Sequence, residues 1–189
     1  MYYRGDTRAF TLIEVLISVG IFALMSLAII QLVISNTVLS QSQSATIEVV
    51  GSASTIMNDI HTSALQAITV VGSHAFSGTT YSTSANTLVL KLPSITSTGA
   101  TVGGQYDYIA YYATGTSAYR LIDAGVGSAR PAGSKRLSDA ITTFVFTYGN
   151  ADPTLSTSTV IDVQTQKTVR AKDISTHVRE QIYLRNYAL

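Results

Sequence analysis

The feature that most constrains this chain is an apolar run from Phe10 to Ile34 that contains a single charged residue, Glu14. From Val15 to Ile34 only uncharged Ser, Gly and Gln residues interrupt the apolar side chains. About 20 such residues in a helix cross the roughly 30 Å hydrocarbon core of a bilayer, where a helix satisfies its own backbone hydrogen bonds. The sequence therefore predicts a membrane-spanning helix.

The charges on either side of the run predict its orientation. Arg4 and Arg8 precede it, and no Lys or Arg follows until Lys91. Because cytoplasmic flanks are enriched in Lys and Arg, we expect a cytoplasmic N-terminus and an exported C-terminal part. The alternative is a secretory signal peptide that is cleaved after the run, near Ser35 and Thr37.

Glu14 argues against that alternative. A carboxylate in an apolar helix costs about 2.5 to 3.5 kcal/mol at the bilayer centre, and less near the interface. A plain signal peptide or anchor gains nothing from keeping such a group. Glu14 is therefore a candidate functional residue.

The residues around Glu14 resemble a known family. Residues Ala9 to Leu16, AFTLIEVL, are similar to the prepilin motif of type IV pilins and type II secretion pseudopilins. The resemblance implies that a prepilin peptidase cleaves between Ala9 and Phe10 and methylates the new amine of Phe10. Glycine is usual before the cut, so Ala9 departs from the pattern. The implied partners are that peptidase, other pilin subunits, an inner-membrane assembly platform and the lipid bilayer.

The resemblance also implies a role for Glu14 in assembly. In a filament, its carboxylate would neutralise the cationic amine of Phe10 on a neighbouring subunit. Two charges that are each costly in an apolar medium become tolerable when they pair. Pairing of Glu14 with the amine of its own Phe10 remains the alternative.

The helical pattern continues beyond the membrane run. Apolar residues recur at spacings of three and four from Val49 to Ile68, which is typical of one buried helical stripe. Gly51 weakens this helix without ending it. We expect the helix to extend unbroken from Phe10 to Ile68, with Gly20 or Ser26 as the only residues at which it would kink.

From Val70 the pattern changes to period two and to β-forming residues. The predicted strands are Thr87–Leu92, Tyr106–Tyr112, Tyr119–Ile122, Ile141–Tyr148, Val160–Val163 and Val178–Leu184, and the predicted loops are Ser94–Gly104 and Gly125–Ser134. The expected fold class is α+β, with the long helix packed on an antiparallel sheet. The order of the strands also resembles minor pseudopilins of the PilW or J type.

Four segments follow from these patterns. We expect a leader over residues 1–9, a membrane and polymerisation helix over 10–34, its amphipathic continuation over 35–68, and a β-rich domain over 69–189. The chain has no cysteine, which excludes disulfides and thiolate metal sites. Its net charge of +1 favours no class of charged partner.

The sequence contains no convincing catalytic or cofactor site. His61, His74 and His177 lie in separate segments without metal-ligand spacing. The segment Gly125–Ser128 lacks the third glycine of a phosphate loop and is interpreted as a turn. Asn150–Pro153 has too few carboxylates for calcium and is also interpreted as a turn. We therefore predict a non-enzymatic protein without cofactor or metal.

Two weak basic clusters leave one alternative function open. They comprise Arg130, Lys135 and Arg136, and then Lys167, Arg170 and Lys172. If the clusters converge beside exposed tyrosines, drawn from Tyr106, Tyr108, Tyr111 and Tyr112, they would bind DNA through phosphate contacts and stacking. The main hypothesis is a structural subunit of a filament assembled at the inner membrane and extending outside the cell. The alternative is a filament-displayed binding module for DNA or surfaces.

Overall fold

A computed structural model describes residues 11–184 of the chain. It begins with one helix, α1, which runs without a break from Leu12 to Gln66. The chain divides into two compact units, Met1–Gln43 and Ser44–Leu189. The predicted helix is confirmed over its described length, and its last turn ends two residues before the predicted Ile68.

The part of α1 that belongs to the second unit is amphipathic. Its buried side chains recur every three or four residues, and they are Ala45, Val49, Ala53, Ile56, Met57, Ile60, Ser63 and Ala64. This spacing places them on one face of the helix. Gly51 does not interrupt the helix, and no side chain or distant backbone lies within 4 Å of the position its Cβ would occupy.

Between α1 and residue 184, the structure contains ten strands and one short helix. They are β1 (Thr69–Val70), β2 (Ser73–Phe76), β3 (Thr79–Ser82), β4 (Thr87–Ile95), β5 (Thr101–Thr114), β6 (Ser117–Asp123), β7 (Gly133–Ser138), β8 (Ile141–Tyr148), a 3₁₀ turn (Pro153–Leu155), β9 (Ser158–Val169) and β10 (Lys172–Tyr183). Every strand pairing among them is antiparallel. The α+β class is therefore confirmed.

The strands form three sheets, whereas a single sheet was predicted. The first has the order β1-β4-β5-β6-β7, the second β10-β9-β8, and β2 pairs only with β3. Leu90 of the first sheet and Phe144 of the second both contribute to the core that includes Ile60 of α1. The helix stripe is thus covered by two sheets, which bury more apolar surface around it than one sheet face would.

The hairpin β2–β3 covers the opposite face of the first sheet. Phe76 from the hairpin packs with Val89 of β4 and Ala110 of β5 in a separate apolar cluster. This second cluster explains why Val89 is fully buried although its neighbours in sequence, Leu88 and Leu90, face the helix.

Polar contacts fix α1 against the sheets within the second unit. The Tyr111 hydroxyl donates to the Asp59 carboxylate at 2.7 Å, and Arg120 Nη1 donates to the other oxygen of that carboxylate at 2.9 Å. Thr165 Oγ1 donates to the Val49 carbonyl at 2.9 Å. Burial and the Asp59 charge raise the pKa of Tyr111 well above its ordinary value, so its hydroxyl keeps its proton.

Both predicted loops were partly wrong. The range Ser94–Gly104 contains the end of β4 and the start of β5, and Gly125–Ser134 reaches into β7. In each place hydrogen bonding to a neighbouring strand overrides the weak strand preference of Gly, Ser and Thr. The strands β9 and β10 are likewise longer than predicted, because they pair with each other along their whole length.

Candidate functional site

The helix start at Glu14 is closed by a reciprocal cap. Thr11 precedes the first helical residue, and its backbone N–H and its hydroxyl donate to Glu14 Oε2 at 2.9 and 2.8 Å. The Glu14 N–H donates in return to Thr11 Oγ1 at 3.4 Å. This is a capping box, which satisfies N–H groups that the first helical turn leaves without intrahelical partners.

The capping role of Thr11 was not predicted from the sequence. The signal was present, because a Thr three residues before a Glu at the start of an apolar run is the sequence signature of a capping box. Glu14 therefore has a local structural role in addition to any role in assembly. Ala9 and Phe10, the predicted cleavage residues, lie outside the described residues.

The first part of α1 has no covering layer within its own unit. Its large apolar side chains from Leu12 to Ile34 are each between 52% and 83% exposed. Within the described residues, α1 is the one helix long and apolar enough to cross a membrane. Such an exposed apolar surface is stable in lipid or against other apolar helices and is unfavourable in water.

Both serines of this segment form hydrogen bonds within the helix. Ser18 and Ser26 donate their hydroxyls to the carbonyls four residues earlier, at 2.7 and 2.8 Å. Such bonds satisfy the hydroxyl groups without water. These two interruptions of the apolar run are therefore compatible with a membrane span.

The turn after β6 surrounds a buried carboxylate, Asp107 of β5. Asp107 is 0% exposed and accepts from Ser94 Oγ at 2.7 Å, Gly125 N at 2.8 Å and Ser128 Oγ at 2.8 Å. Arg130 forms an ion pair with the same carboxylate. Burial raises the pKa of Asp107, but the hydrogen bonds from Ser94, Gly125, Arg130 and Ser128 together outweigh burial and hold the pKa below its ordinary value.

This geometry decides the interpretation of the Gly-Val-Gly-Ser segment. A Cβ at Gly125 would lie 2.5 Å from the Tyr106 carbonyl oxygen and 2.7 Å from Ser94 Oγ, so only glycine fits without displacement. Ser128 N–H donates to the Gly125 carbonyl at 3.0 Å. The prediction of a turn is confirmed, and its donors are directed at a carboxylate of the chain itself.

Two of the three histidines, and Asp152, also have partners within the chain. His74 pairs with Asp123 at 2.8 Å and His177 with Asp162 at 2.7 Å. Asp152 Oδ1 accepts hydrogen bonds from the backbone N–H and the hydroxyl of Thr154, and Asp152 thereby caps the start of the 3₁₀ turn. Among residues 11–184, no three His, Asp or Glu side chains are grouped so that they could hold a metal ion.

Arg130 of the first basic cluster lies far from Lys167 of the second. Arg130 lies at the C-terminal end of α1, where it donates to Gln66 Oε1 at 2.6 Å, whereas Lys167 forms an ion pair with Glu48. Glu48 and Gln66 are separated by about 27 Å of helix at 1.5 Å per residue. Tyr111 is fully buried. Arg130 and Tyr111 therefore do not take part in the arrangement that the DNA-binding alternative requires.

Comparison with known proteins identifies one similarity. Residues 4–30 match the family model of the prokaryotic N-terminal methylation motif. No curated protein and no solved structure matches the chain significantly. The match covers the capped helix start and most of the exposed apolar segment, which are the features that the geometry sets apart from the β-rich unit.

Proposed function

We propose that this protein, whose methylation motif and α+β fold support the type IV pilin and pseudopilin family, is a minor structural subunit of a filament. The observation that supports this most directly is the motif at residues 4–30, which leads into an apolar helix without a covering layer. The motif family is structural and not enzymatic. The motif and the apolar helix also fit anchoring in the inner membrane before assembly.

Processing is the first step of the proposed function. A prepilin peptidase cuts between Ala9 and Phe10, removes the leader of residues 1–9 and methylates the amine of Phe10. In the processed chain, residues 10–34 form the membrane and polymerisation helix, 35–68 its continuation, and 69–189 the exported domain. Arg4 and Arg8 keep the leader on the cytoplasmic side, where the cut takes place.

Assembly then uses Glu14. Both hydrogen bonds that its carboxylate accepts within the described residues end on Oε2. Oε1 therefore remains able to accept from the Phe10 amine of a neighbouring subunit while the cap stays intact. An unpaired carboxylate or amine is unfavourable in an apolar filament core, and pairing the two lowers this free-energy cost. The pair therefore favours one register between subunits.

A substitution at Glu14 tests this step. Glu14→Gln keeps the size of the side chain and an oxygen for the Thr11 cap, but removes the charge. We expect normal amounts of processed protein in the membrane and at least about a tenfold loss of the protein from sheared filaments, as expected when a charge pair worth more than about 1.4 kcal/mol is removed. The measurement is quantitative immunoblotting of the sheared and membrane fractions.

Glu48→Gln is the matched control. It makes the same chemical change on the same helix, at an exposed ion pair with Lys167 in the second unit. We expect it to enter filaments like the parent chain, because exposed ion pairs contribute little. Equal incorporation of Glu14→Gln and Glu48→Gln would contradict the assembly role of Glu14.

A further inference from the structure

The hairpin β9–β10 ends in a turn whose residues are unusual for its geometry. Val169 pairs with Lys172, and the two residues between them, Arg170 and Ala171, have φ values of +48° and +63°. A two-residue hairpin turn with both φ values positive is a type I′ turn, for which Asn-Gly is the favoured sequence. Arg and Ala therefore occupy positions where the backbone favours other residues, which is the motive for seeking a role for the Arg170 side chain.

The tip of this hairpin is basic. We define the tip as residues 166–173, which contain Lys167, Arg170 and Lys172 and a single acidic residue, Asp173. Arg170 and Lys172 are exposed. Asp173 accepts a hydrogen bond from Thr168 Oγ1 at 2.6 Å, on the opposite strand. When Glu48, which pairs with Lys167, is counted with Asp173, three cations face two carboxylates, so the exposed tip keeps a net positive charge.

The tip lies at the end of the second unit where the chain enters it. Lys167 forms an ion pair with Glu48, only four residues after Ser44, the first residue of that unit. The third strand, β8, pairs with β9 no further than Thr165. The tip therefore extends beyond the three-stranded part of the sheet as a two-stranded arm.

With residues 10–34 in the bilayer, as proposed above, the chain length limits how far this end of the unit can lie from the membrane. Only residues 35–43 separate Ile34, the last residue of the apolar run, from Ser44. Nine residues span at most about 32 Å when fully extended and about 14 Å when helical. A tether this short gives the basic tip a high effective concentration at the bilayer surface.

We propose that the tip of the β9–β10 hairpin docks on the anionic lipid headgroups of the leaflet facing the second unit. The proposal rests on the membrane anchoring proposed above and goes beyond it by assigning a lipid-binding surface. Each Arg or Lys near an anionic bilayer increases the occupancy of the bound state by about fivefold. This attraction is screened beyond a Debye length of about 8 Å at physiological salt. The contact holds the unit to the bilayer until the subunit leaves the membrane.

Site-specific quenching in nanodiscs tests the contact. The chain has no cysteine, so Ser175→Cys gives one labelling site on the exposed side of β10, near the tip. Full-length protein is inserted into nanodiscs of phosphatidylglycerol or of phosphatidylcholine that carry a quencher on their headgroups. We expect the label to be quenched more strongly in phosphatidylglycerol, and the difference to disappear at high salt because the contact is electrostatic.

A second label controls for insertion. Thr98→Cys lies in the turn between Ile95 and Thr101, at the end of the unit where α1 terminates. Arg130 marks that end, because it donates both to the Pro93 carbonyl and to Gln66. We expect the quenching of this label not to depend on the lipid. Equal quenching of both labels in both lipids would overturn the proposal.

Two matched charge reversals test whether the lipid contact depends on the charge of the tip or on the charge of the whole unit. Lys172→Glu should reduce occupancy of the contact in phosphatidylglycerol by about 25-fold, because it changes two charges at about fivefold each. Arg179→Glu makes the same charge change at another exposed position of β10, seven residues after Lys172 and outside the tip. We expect it to retain the lipid-dependent quenching. An equal loss in both variants would overturn the assignment to the tip.

A variant of the turn separates a lipid contact from a purely structural role. Arg170→Asn with Ala171→Gly supplies the favoured type I′ sequence. We expect a higher melting temperature and about a fivefold lower occupancy of the lipid contact. Undiminished quenching would overturn the proposal.

The same samples distinguish this proposal from the proposed function. A chain that does not co-purify with nanodiscs would refute the anchoring and with it the contact. An inserted chain whose Ser175 label is insensitive to lipid would overturn the contact alone and leave filament assembly unaffected.

Discussion

The buried ion pair between Asp107 and Arg130 should be the most sensitive point of the second unit. Asp107 is fully buried, and the Arg130 side chain is only 11% exposed. The pair connects β5 to the turn after β6, and through the bond from Arg130 to Gln66 it also holds the end of α1. Its loss therefore weakens three elements together.

Asp107→Ala removes the carboxylate and leaves Arg130 as an uncompensated buried cation. Breaking a buried pair in this way costs about 3–5 kcal/mol of the free energy of unfolding. The whole free energy of unfolding of a domain is about 5–15 kcal/mol. For a unit of about 150 residues, each kcal/mol corresponds to about 2–4 °C in melting temperature, so we expect a decrease of about 10 °C.

The matched control is Asp139→Ala. Asp139 pairs with Arg136 at 3.4 Å, and both side chains are 58% exposed. Exposed pairs contribute about 0–1 kcal/mol, so we expect a decrease of no more than about 3 °C. Thermal melts of the full-length chain in detergent, followed by near-ultraviolet circular dichroism, compare the two variants. Equal melting temperatures would refute the stabilising role assigned to the Asp107–Arg130 pair.

Two further predictions concern the same turn. Because the pKa of Asp107 is lower in the folded than in the unfolded protein, its stabilisation is complete above about pH 4 and is lost as the pH falls through the folded pKa. In Asp107→Asn, the melting temperature should therefore fall less steeply as the pH is lowered than it does in the parent chain. An equally steep fall in both would contradict this prediction. Gly125→Ala places a Cβ 2.5 Å from the Tyr106 carbonyl oxygen and should cost about 1–3 kcal/mol in denaturant unfolding. Gly103→Ala, with open space around it, should cost less than about 0.5 kcal/mol, and similar values for both would refute the steric argument.

The helix and the strongest strands could be predicted from the sequence because local patterns determine them. The apolar run and the stripe that follows it predicted α1 to within two residues of its end at Gln66. The predicted strand Ile141–Tyr148 coincides with β8, whose alternating residues Phe144 and Phe146 are buried in the core. In both elements the spacing of apolar residues and the structure agree.

The remaining strands depend on pairing that the sequence does not display. β7 (Gly133–Ser138) contains Gly, Ser, Lys and Arg and has little strand preference of its own. It forms because β6 offers a partner with free backbone groups. The division into three sheets likewise follows from which strands pair, and no local pattern encodes it.

The candidate site was predictable in one part only. Glu14 was recognised from its position in an apolar run, and Thr11 could have been recognised from the capping-box spacing. The contacts of Asp107 with Arg130 and of Asp59 with Arg120 join residues 23 and 61 positions apart. Such pairs are set by the sheet register, so the spacing of charges along the sequence does not reveal them.

Intact mass spectrometry of the protein purified from membranes tests the filament-subunit function most directly. We expect the mature chain to begin at an N-methylated Phe10, and therefore to lack residues 1–9 and to carry one additional methyl group. The matched sample from cells without prepilin peptidase should retain the leader. A mature chain that keeps Met1 to Ala9 in the presence of the peptidase would contradict processing, and with it the proposed assembly through Phe10 and Glu14.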